Sequence, residues 1–131
     1  PQQWRTFSQY LTRHELRSGD LLVKQGDHDR TVYFLGQGSL QIFVTGAAPG
    51  ASRIAILRPG SICGEPGLFA DGPRMANVEA MTPCVVFALR LPRFEELMAR
   101  VPLVAAEVLR AAGNVMVVRQ RSNLSRQVPA A

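Results

Sequence analysis

The chain has 131 residues, of which 47% are hydrophobic, so it is long enough for one domain around a single apolar core. Its longest apolar stretches are too short or too interrupted to cross a bilayer as helices. The net charge of +5 comes mainly from arginines near the C-terminal end, but no aromatic residues interleave them. This favours a solvated helix face over a nucleic-acid-binding surface, and we expect no direct contact of this chain with nucleic acid.

The cysteine and histidine positions argue against a metal site. Cys63 and Cys84 lie far apart, and neither His14 nor His28 has a second ligand at metal-binding spacing. The cysteines are therefore predicted to be buried free thiols in a reducing compartment, which indicates a cytoplasmic domain.

The N-terminal segment, residues 1–13, is predicted to be a short helix because Trp4, Phe7 and Leu11 fall on one stripe at helical spacing. Residues 14–91 then consist of short apolar runs separated by turns rich in Gly, Pro and Asp.

Within these runs the apolar residues alternate, as strands with one apolar face require. The alternating sets are Leu40, Ile42 and Val44, then Ala76, Val78 and Ala80, then Val85, Phe87 and Leu89. Seven or eight short strands without long intervening helices predict a mainly β fold. The architecture expected is an antiparallel β-barrel or jelly roll, a double-stranded β-helix, flanked by helices.

Residues 92–120 are predicted to form C-terminal helices, because Pro92 and Pro102 each fit the first turn of a helix. Apolar residues follow at spacings of three and four. They are Phe94, Leu97 and Met98 in the first helix, and Val104, Val108, Ala111, Val115 and Val118 in the second. Residues 121–131 lack periodicity and are predicted to be a loose tail.

The segment from Gly64 to Ala76 differs from both strand and simple turn. Pro66 fits the start of a short helix, whose free amides would form an anion site. Arg74 follows a tight Asp-Gly-Pro turn and offers a forked cation for bidentate contact with a phosphate. Glu65 would repel a phosphate but accept a hydrogen bond from a sugar hydroxyl, so the pair predicts a sugar phosphate as ligand. A surface salt bridge between Glu65 and Arg74 is the structural alternative.

The run from Cys63 to Val78 resembles the phosphate-binding cassette of the cyclic-nucleotide-binding domain family. Residues 24–27, 32–40 and 57–61 are similar to the strands and turns that precede this cassette. The resemblance implies one domain over residues 1–131, with a barrel over residues 14–91 that contains a short cassette helix within residues 63–78. The ligand-binding residues that it implies are Gly64, Glu65, Gly67, Leu68, Arg74, Met75 and Ala76.

The resemblance implies that Gly64 and Glu65 contact the ribose. It also implies that Arg74, with the backbone amides of Gly67 and Met75, holds the cyclic phosphate. The chain departs from the family pattern at four positions, which are Cys63, Pro66, Met75 and Asn77. Met75 stands where members that favour cyclic GMP tend to carry a hydroxyl. Cyclic AMP is therefore the expected ligand.

The resemblance implies a regulatory or sensor domain of a larger protein, without a cofactor and without enzymatic activity. No serine has a nucleophile-elbow context. The residues after Gln120 are too few for a helix-turn-helix, so we expect the domain to control an upstream module of its parent chain, a bacterial transporter or channel being the first candidate. Two alternatives remain: a nucleotide-free oligomerisation domain that associates through the C-terminal helix, and the effector domain of a transcription regulator lacking its DNA-binding part.

Overall fold

The computed structural model describes residues 2–46, 53–64 and 72–111. Within these ranges, eight strands form two four-stranded sheets, and helices lie before and after them. The elements are α1 (Gln2–Ser8), β1 (Thr12–Leu16), β2 (Leu21–Val23), β3 (Val32–Gln37), β4 (Leu40–Phe43), β5 (Arg53–Leu57), β6 (Ile62–Cys63), β7 (Asn77–Ala80), β8 (Cys84–Leu89) and α2 (Leu91–Arg100). A further helical segment occupies residues 102–111.

The strand order is β1-β8-β3-β6 in one sheet and β2-β7-β4-β5 in the other, and every pairing is antiparallel. The predicted antiparallel jelly roll is confirmed. One apolar cluster fills the space between the sheets because alternate residues of each strand point inward. Its fully buried members include Leu40, Ile42, Cys63, Val78 and Val86.

The N-terminal helix is shorter than the sequence predicts. It ends at Ser8, and Thr12 already begins β1, whose residues pair with β8 from Thr12 opposite Ala88 to Leu16 opposite Cys84. Residues 12 and 13 form strand rather than helix because β8 offers them backbone hydrogen bonds. The apolar stripe of the helix could not predict this pairing. Phe7 and Leu11 still pack together, in a second apolar cluster on the outer side of one sheet.

A second apolar cluster lies between the helices and the sheet that contains β3 and β8. Phe94 and Leu97 of α2 are buried there, together with Phe7, whose ring meets Phe34 edge to face at 5.5 Å between centroids. Met98, predicted on the same apolar stripe as Phe94 and Leu97, is instead 42% exposed. The stripe of α2 that faces the sheet is therefore narrower than the sequence pattern indicates.

Helices α1 and α2 are joined by Arg93. Its Nη1 donates to Glu96 Oε2 at 2.8 Å, its Nη2 donates to the carbonyl of Gln9 at 2.8 Å, and its guanidinium lies 4.6 Å from the centroid of the Tyr10 ring. These contacts attach the end of the N-terminal helix to the start of the C-terminal helices.

The C-terminal helical region is divided at Val101, and the second segment begins at Pro102 as predicted. Val104 is buried in the helical cluster, and Val108 is partly buried against it. The predicted positions Val115 and Val118 lie outside the described residues, as does the predicted tail, residues 121–131. In the parts of the chain that are described, no helix is both long and apolar enough to span a membrane.

Candidate functional site

Arg74 lies three residues before the start of β7, at the end of the barrel where β6 ends and β3 begins. Its backbone is fixed by the turn that follows β2. The Arg74 N–H donates to the carbonyl of Asp27 at 2.6 Å, and the Arg74 carbonyl accepts from the N–H of Gly26 at 2.8 Å. These two hydrogen bonds fix the arginine backbone against the Gly-Asp turn, so that its side chain starts from a defined point.

The side chain of Arg74 is only 8% exposed. Its Nη1 donates to the carbonyl of Gly64 at 3.2 Å, and its Nη2 donates to the carbonyl of Thr31 at 2.5 Å. The nearest acid among the described residues is Asp29, with Oδ2 at 3.8 Å from Nη2. The buried Nε has no hydrogen-bond partner within the described part of the chain.

A buried guanidinium normally has all its donors satisfied, since burying an unpaired charge costs several kcal/mol. Within the described ranges its partners are two neutral carbonyls and one carboxylate beyond hydrogen-bond distance. Among the described residues its Nε–H meets no acceptor, so a further acceptor can be bound there. The arrangement can therefore bind an anion, and Arg74 is the group that would hold it.

Asp29 and Thr31 form a small hydrogen-bonded unit beside Arg74. Asp29 Oδ1 accepts from Thr31 Oγ1 at 2.7 Å and from the Thr31 N–H at 3.0 Å. Burial by itself would raise the pKa of Asp29, but these hydrogen bonds and the charges of Arg74 and Arg90 outweigh it, so the pKa lies below its usual value. Asp29 is thus ionised at neutral pH and keeps the Thr31 carbonyl directed at Arg74.

Gly64 directly follows β6 and has φ of +79°, in the left-handed region that side chains rarely adopt. A Cβ at this position would lie 2.7 Å from Arg74 Nη1 and 2.7 Å from the carbonyl oxygen of Thr31. Glycine is therefore required here for two reasons, the backbone conformation and the space that the guanidinium occupies.

A cavity of about 560 Å³ adjoins this group. Asp29 and Thr31 line it, together with residues from β1, β3 and β8, among them Tyr33. Burial raises the pKa of Tyr33, and the nearby negative charge of Asp29 adds to this effect, so the phenol stays protonated at neutral pH. Asp29 and Thr31 thus lie against Arg74 on one side and line the cavity on the other.

The sequence-predicted site residues fall into two groups. The structure brings Gly64 and Arg74 into direct contact, with Met75 55% exposed and Ala76 buried next to them. The others, Glu65, Gly67 and Leu68, lie outside the described residues. The predicted cassette helix and the alternative of a Glu65–Arg74 salt bridge fall on the same undescribed segment.

Sequence reasoning missed Asp29 and Thr31, which contact Arg74 from 43 and more residues away in the chain. An acid followed two residues later by a hydroxyl is a recognisable turn motif, in which the carboxylate accepts from the backbone N–H two residues on. That signal was present in the sequence, but only the fold places the motif against Arg74.

Comparisons with known proteins agree with this fold. The model of the family described as "Cyclic nucleotide-binding domain" matches residues 13–101. The chain is 34% identical over 116 residues to the mouse potassium/sodium hyperpolarization-activated cyclic nucleotide-gated channel 3, covering 82% of this chain and 14% of the channel. It is 28% identical over 116 residues to the cAMP-activated global transcriptional regulator CRP of Pasteurella multocida, covering 88% of this chain and 53% of that protein.

Among solved structures, a cyclic nucleotide-binding domain from Methylobacillus flagellatus superposes with a TM-score of 0.85 at 20% identity, covering 95% of this chain and 70% of that one. The catabolite activator protein of Thermus thermophilus superposes with a TM-score of 0.78 at 25% identity, covering 97% of this chain and 57% of that one. The chain thus spans about half or less of the length of the channel and regulator that it matches. The matching family model, together with the jelly roll, shows that the chain belongs to the cyclic nucleotide-binding domain family.

Proposed function

We propose that this domain is a sensor that binds cyclic AMP and passes the signal to another part of its parent protein. The observation that carries the proposal is Arg74, a buried guanidinium that contacts Gly64 and whose Nε has no hydrogen-bond partner among the described residues. A cyclic phosphate carries one negative charge and exposed oxygens, so it would supply the acceptor that Nε lacks and the charge that two carbonyls do not supply.

In this proposal Arg74 and the backbone N–H groups of Gly67 and Met75 hold the phosphate, while Glu65 accepts a hydrogen bond from the ribose. Leu68 and Ala76 would line the same pocket. Cyclic AMP is preferred to cyclic GMP because Met75 has no hydroxyl to offer a guanine base. These assignments rest on the family pattern, the position of Arg74 and the preference of a carboxylate for a hydroxyl over a phosphate.

We propose further that the domain is one regulatory unit over residues 1–131 of a cytoplasmic part of a larger chain. Buried thiols at Cys63 and Cys84 favour a reducing compartment. The relatives include an ion channel and transcription regulators, and we place a membrane transporter or channel first among possible parents. No catalytic step is proposed.

A competing function is oligomerisation without a nucleotide. Leu103, at the start of the second C-terminal helical segment, is 78% exposed, and in this alternative a second copy of the chain would cover it. Titration with cyclic AMP distinguishes the two functions, since an oligomerisation domain would take up no nucleotide.

The test of the sensor function is calorimetric titration with cyclic AMP of the unaltered protein and of Arg74→Ala. Removing a buried, hydrogen-bonded charge partner costs on the order of 2–5 kcal/mol, so we expect the affinity to fall by ~30-fold or more. Arg13→Ala is the matched control, because Arg13 is an exposed arginine on β1 that pairs with Glu15. Its affinity should equal that of the unaltered protein. Near-normal binding by folded Arg74→Ala would refute the phosphate role.

The role of Glu65 is tested with two ligands. We expect Glu65→Gln to weaken binding of cyclic AMP more than binding of its 2′-deoxy analogue, because the analogue has no 2′-hydroxyl to donate to the carboxylate. The measurement is the ratio of the two dissociation constants in both proteins. Equal losses for both ligands would remove Glu65 from the ribose contact.

A further inference from the structure

The pairing between β2 and β7 is irregular just before it reaches Arg74. Leu21 pairs with Glu79 and Val23 with Val78, so the register shifts between them. Beyond this bulge the Gln25 N–H finds its acceptor in a side chain, Asn77 Oδ1 at 2.9 Å. In a regular strand pairing, a backbone carbonyl would accept this hydrogen bond; here the side-chain amide of Asn77 accepts it. Asn77 is only 5% exposed, so this hydrogen bond is buried.

The side chain of Gln25 completes the same network. Its Oε1 accepts from Asn77 Nδ2 at 3.4 Å and from the Thr45 N–H at 2.8 Å, and its Nε2 donates to the Thr45 carbonyl at 3.4 Å. Asn77 Nδ2 also lies 3.5 Å from the carbonyl of Phe43. Two side-chain amides thus join three segments: the start of β7, the turn after β2 and the end of β4.

This network is continuous with the backbone of Arg74. The residues directly after Gln25 are Gly26 and Asp27, which make the two backbone hydrogen bonds to Arg74. The turn after β2 is therefore held at one end by Asn77 and presents its other end to Arg74, three residues before Asn77. A shift of this turn would move the Arg74 backbone, and with it the guanidinium.

We propose that Asn77 and Gln25 are positioning residues for Arg74: they fix the turn of residues 25–27 so that the guanidinium is aimed at the anion before the anion arrives. Positioning of this kind raises affinity because little conformational freedom is lost on binding. The consequence for cyclic AMP affinity rests on the proposed function, whereas the consequence for the Arg74 backbone does not.

The test is Asn77→Ala with two readouts. The first is amide hydrogen exchange of Arg74 and Gly26, which we expect to become about tenfold faster or more, since a buried donor and acceptor lose their partner. The second is the affinity for cyclic AMP, which we expect to fall about tenfold, less than the loss in Arg74→Ala because the guanidinium is still present. Should Asn77→Ala not fold, Gln25→Ala, which alters a half-buried side chain of the same network, takes its place with the same two readouts.

Two control variants separate positioning from general loss of stability. Glu79→Ala removes a cross-strand side-chain hydrogen bond in the same strand, since Glu79 Oε1 accepts from Gln41 Nε2 at 2.8 Å. Val86→Ala opens a cavity at a fully buried position of the core. We expect both to keep the exchange rates of Arg74 and Gly26 and the nucleotide affinity of the unaltered protein.

Unchanged exchange at Arg74 and Gly26 in Asn77→Ala would overturn the positioning role, and so would an affinity loss that both controls share. If the unaltered protein does not bind cyclic AMP, the proposed function fails, and the exchange readout alone decides the positioning role. Faster exchange confined to the network variant supports it in either case.

Discussion

The two ends of the barrel are built by different means. At the end with the β3–β4 and β7–β8 turns, Gly38 packs on Pro83 and Cys84, and neutral groups close the structure: the Ser39 N–H donates to Thr82 Oγ1 at 3.1 Å, and the Ser39 carbonyl accepts from the Met81 N–H at 3.0 Å. We call this the closed end. At the opposite end, the Arg74 end, a charged side chain fills the corresponding place.

Each end contains a glycine with positive φ, Gly38 at the closed end and Gly64 at the Arg74 end. The atoms that a Cβ would meet differ between the two glycines. A Cβ at Gly38 would overlap the carbonyl oxygen of Pro83 and lie 3.0 Å from Cys84 Cα, and both are fixed backbone atoms. A Cβ at Gly64 would meet the guanidinium of Arg74 as well as one backbone carbonyl. A side chain at position 38 would therefore require backbone atoms to move. At position 64, part of the obstacle is the Arg74 side chain, which is also the group available to a ligand.

The largest expected effect is the loss of stability in Gly38→Ala. The left-handed conformation costs a side chain about 1–2 kcal/mol, and overlap with the backbone adds about 1–3 kcal/mol, so we expect the free energy of unfolding to fall by about 3 kcal/mol or more. Urea unfolding measures it. Protein that remains folded should bind cyclic AMP normally, because Gly38 and Arg74 are at opposite ends.

Gly60→Ala is the matched control, since Gly60 has φ of +95° but, apart from its chain neighbours, no atom of the described residues lies within 4 Å of the place that a Cβ would take there. It should lose only the conformational part, about 1–2 kcal/mol. Equal losses of unfolding free energy in Gly38→Ala and Gly60→Ala would show that the contacts with Pro83 and Cys84 add nothing to the cost of a side chain at position 38.

The second expected effect concerns binding. Gly64→Ala should displace the guanidinium of Arg74 and reduce the affinity for cyclic AMP about tenfold or more, while its loss of stability should lie between those of Gly60→Ala and Gly38→Ala. Titration and urea unfolding of the same preparation measure both quantities. Gly60→Ala should bind normally, and normal binding by Gly64→Ala would mean that the position of the guanidinium at Gly64 is irrelevant to the ligand.

The smallest expected effect is at Asp29, whose pKa is lowered in the folded protein. A group with a lowered folded pKa stabilises the fold above its unfolded pKa, near 3.8, and loses that contribution as pH falls through the folded value. Because the side chain is half exposed, we expect Asp29→Asn to lose less than about 1 kcal/mol of stability at pH 7, and less still at pH 3.

The same substitution should slightly raise the affinity for cyclic AMP, because it removes a carboxylate 3.8 Å from the guanidinium that competes with the phosphate. Urea unfolding at pH 7 and pH 3 and titration at pH 7 make up the measurement. A stability difference that grows toward low pH, or weaker binding by Asp29→Asn, would contradict this account of the Arg74 end.

Local patterns in the sequence were sufficient to predict the class of fold and to single out Gly64 and Arg74, which the structure places in contact; their role in binding a ligand stays a prediction. Alternating apolar residues predicted strands, proline predicted the start of the helical segment at residue 102, and the cassette-like run identified Gly64 and Arg74. The periods of strands and helices are properties of neighbouring residues, so they can be seen without knowing what packs against them.

Tertiary structure decided what depends on distant partners. Residues 12 and 13 became strand because β8 offers an open edge, and β8, predicted from the apolar set Val85, Phe87 and Leu89, places Cys84 and Val86 in the core between the sheets. Likewise Asp29 and Thr31 reach Arg74, and Asn77 reaches Gln25, across 43 or more residues of chain. Side-chain hydrogen bonds of this kind have no period along the sequence, because their partners are brought together only by the pairing of the strands.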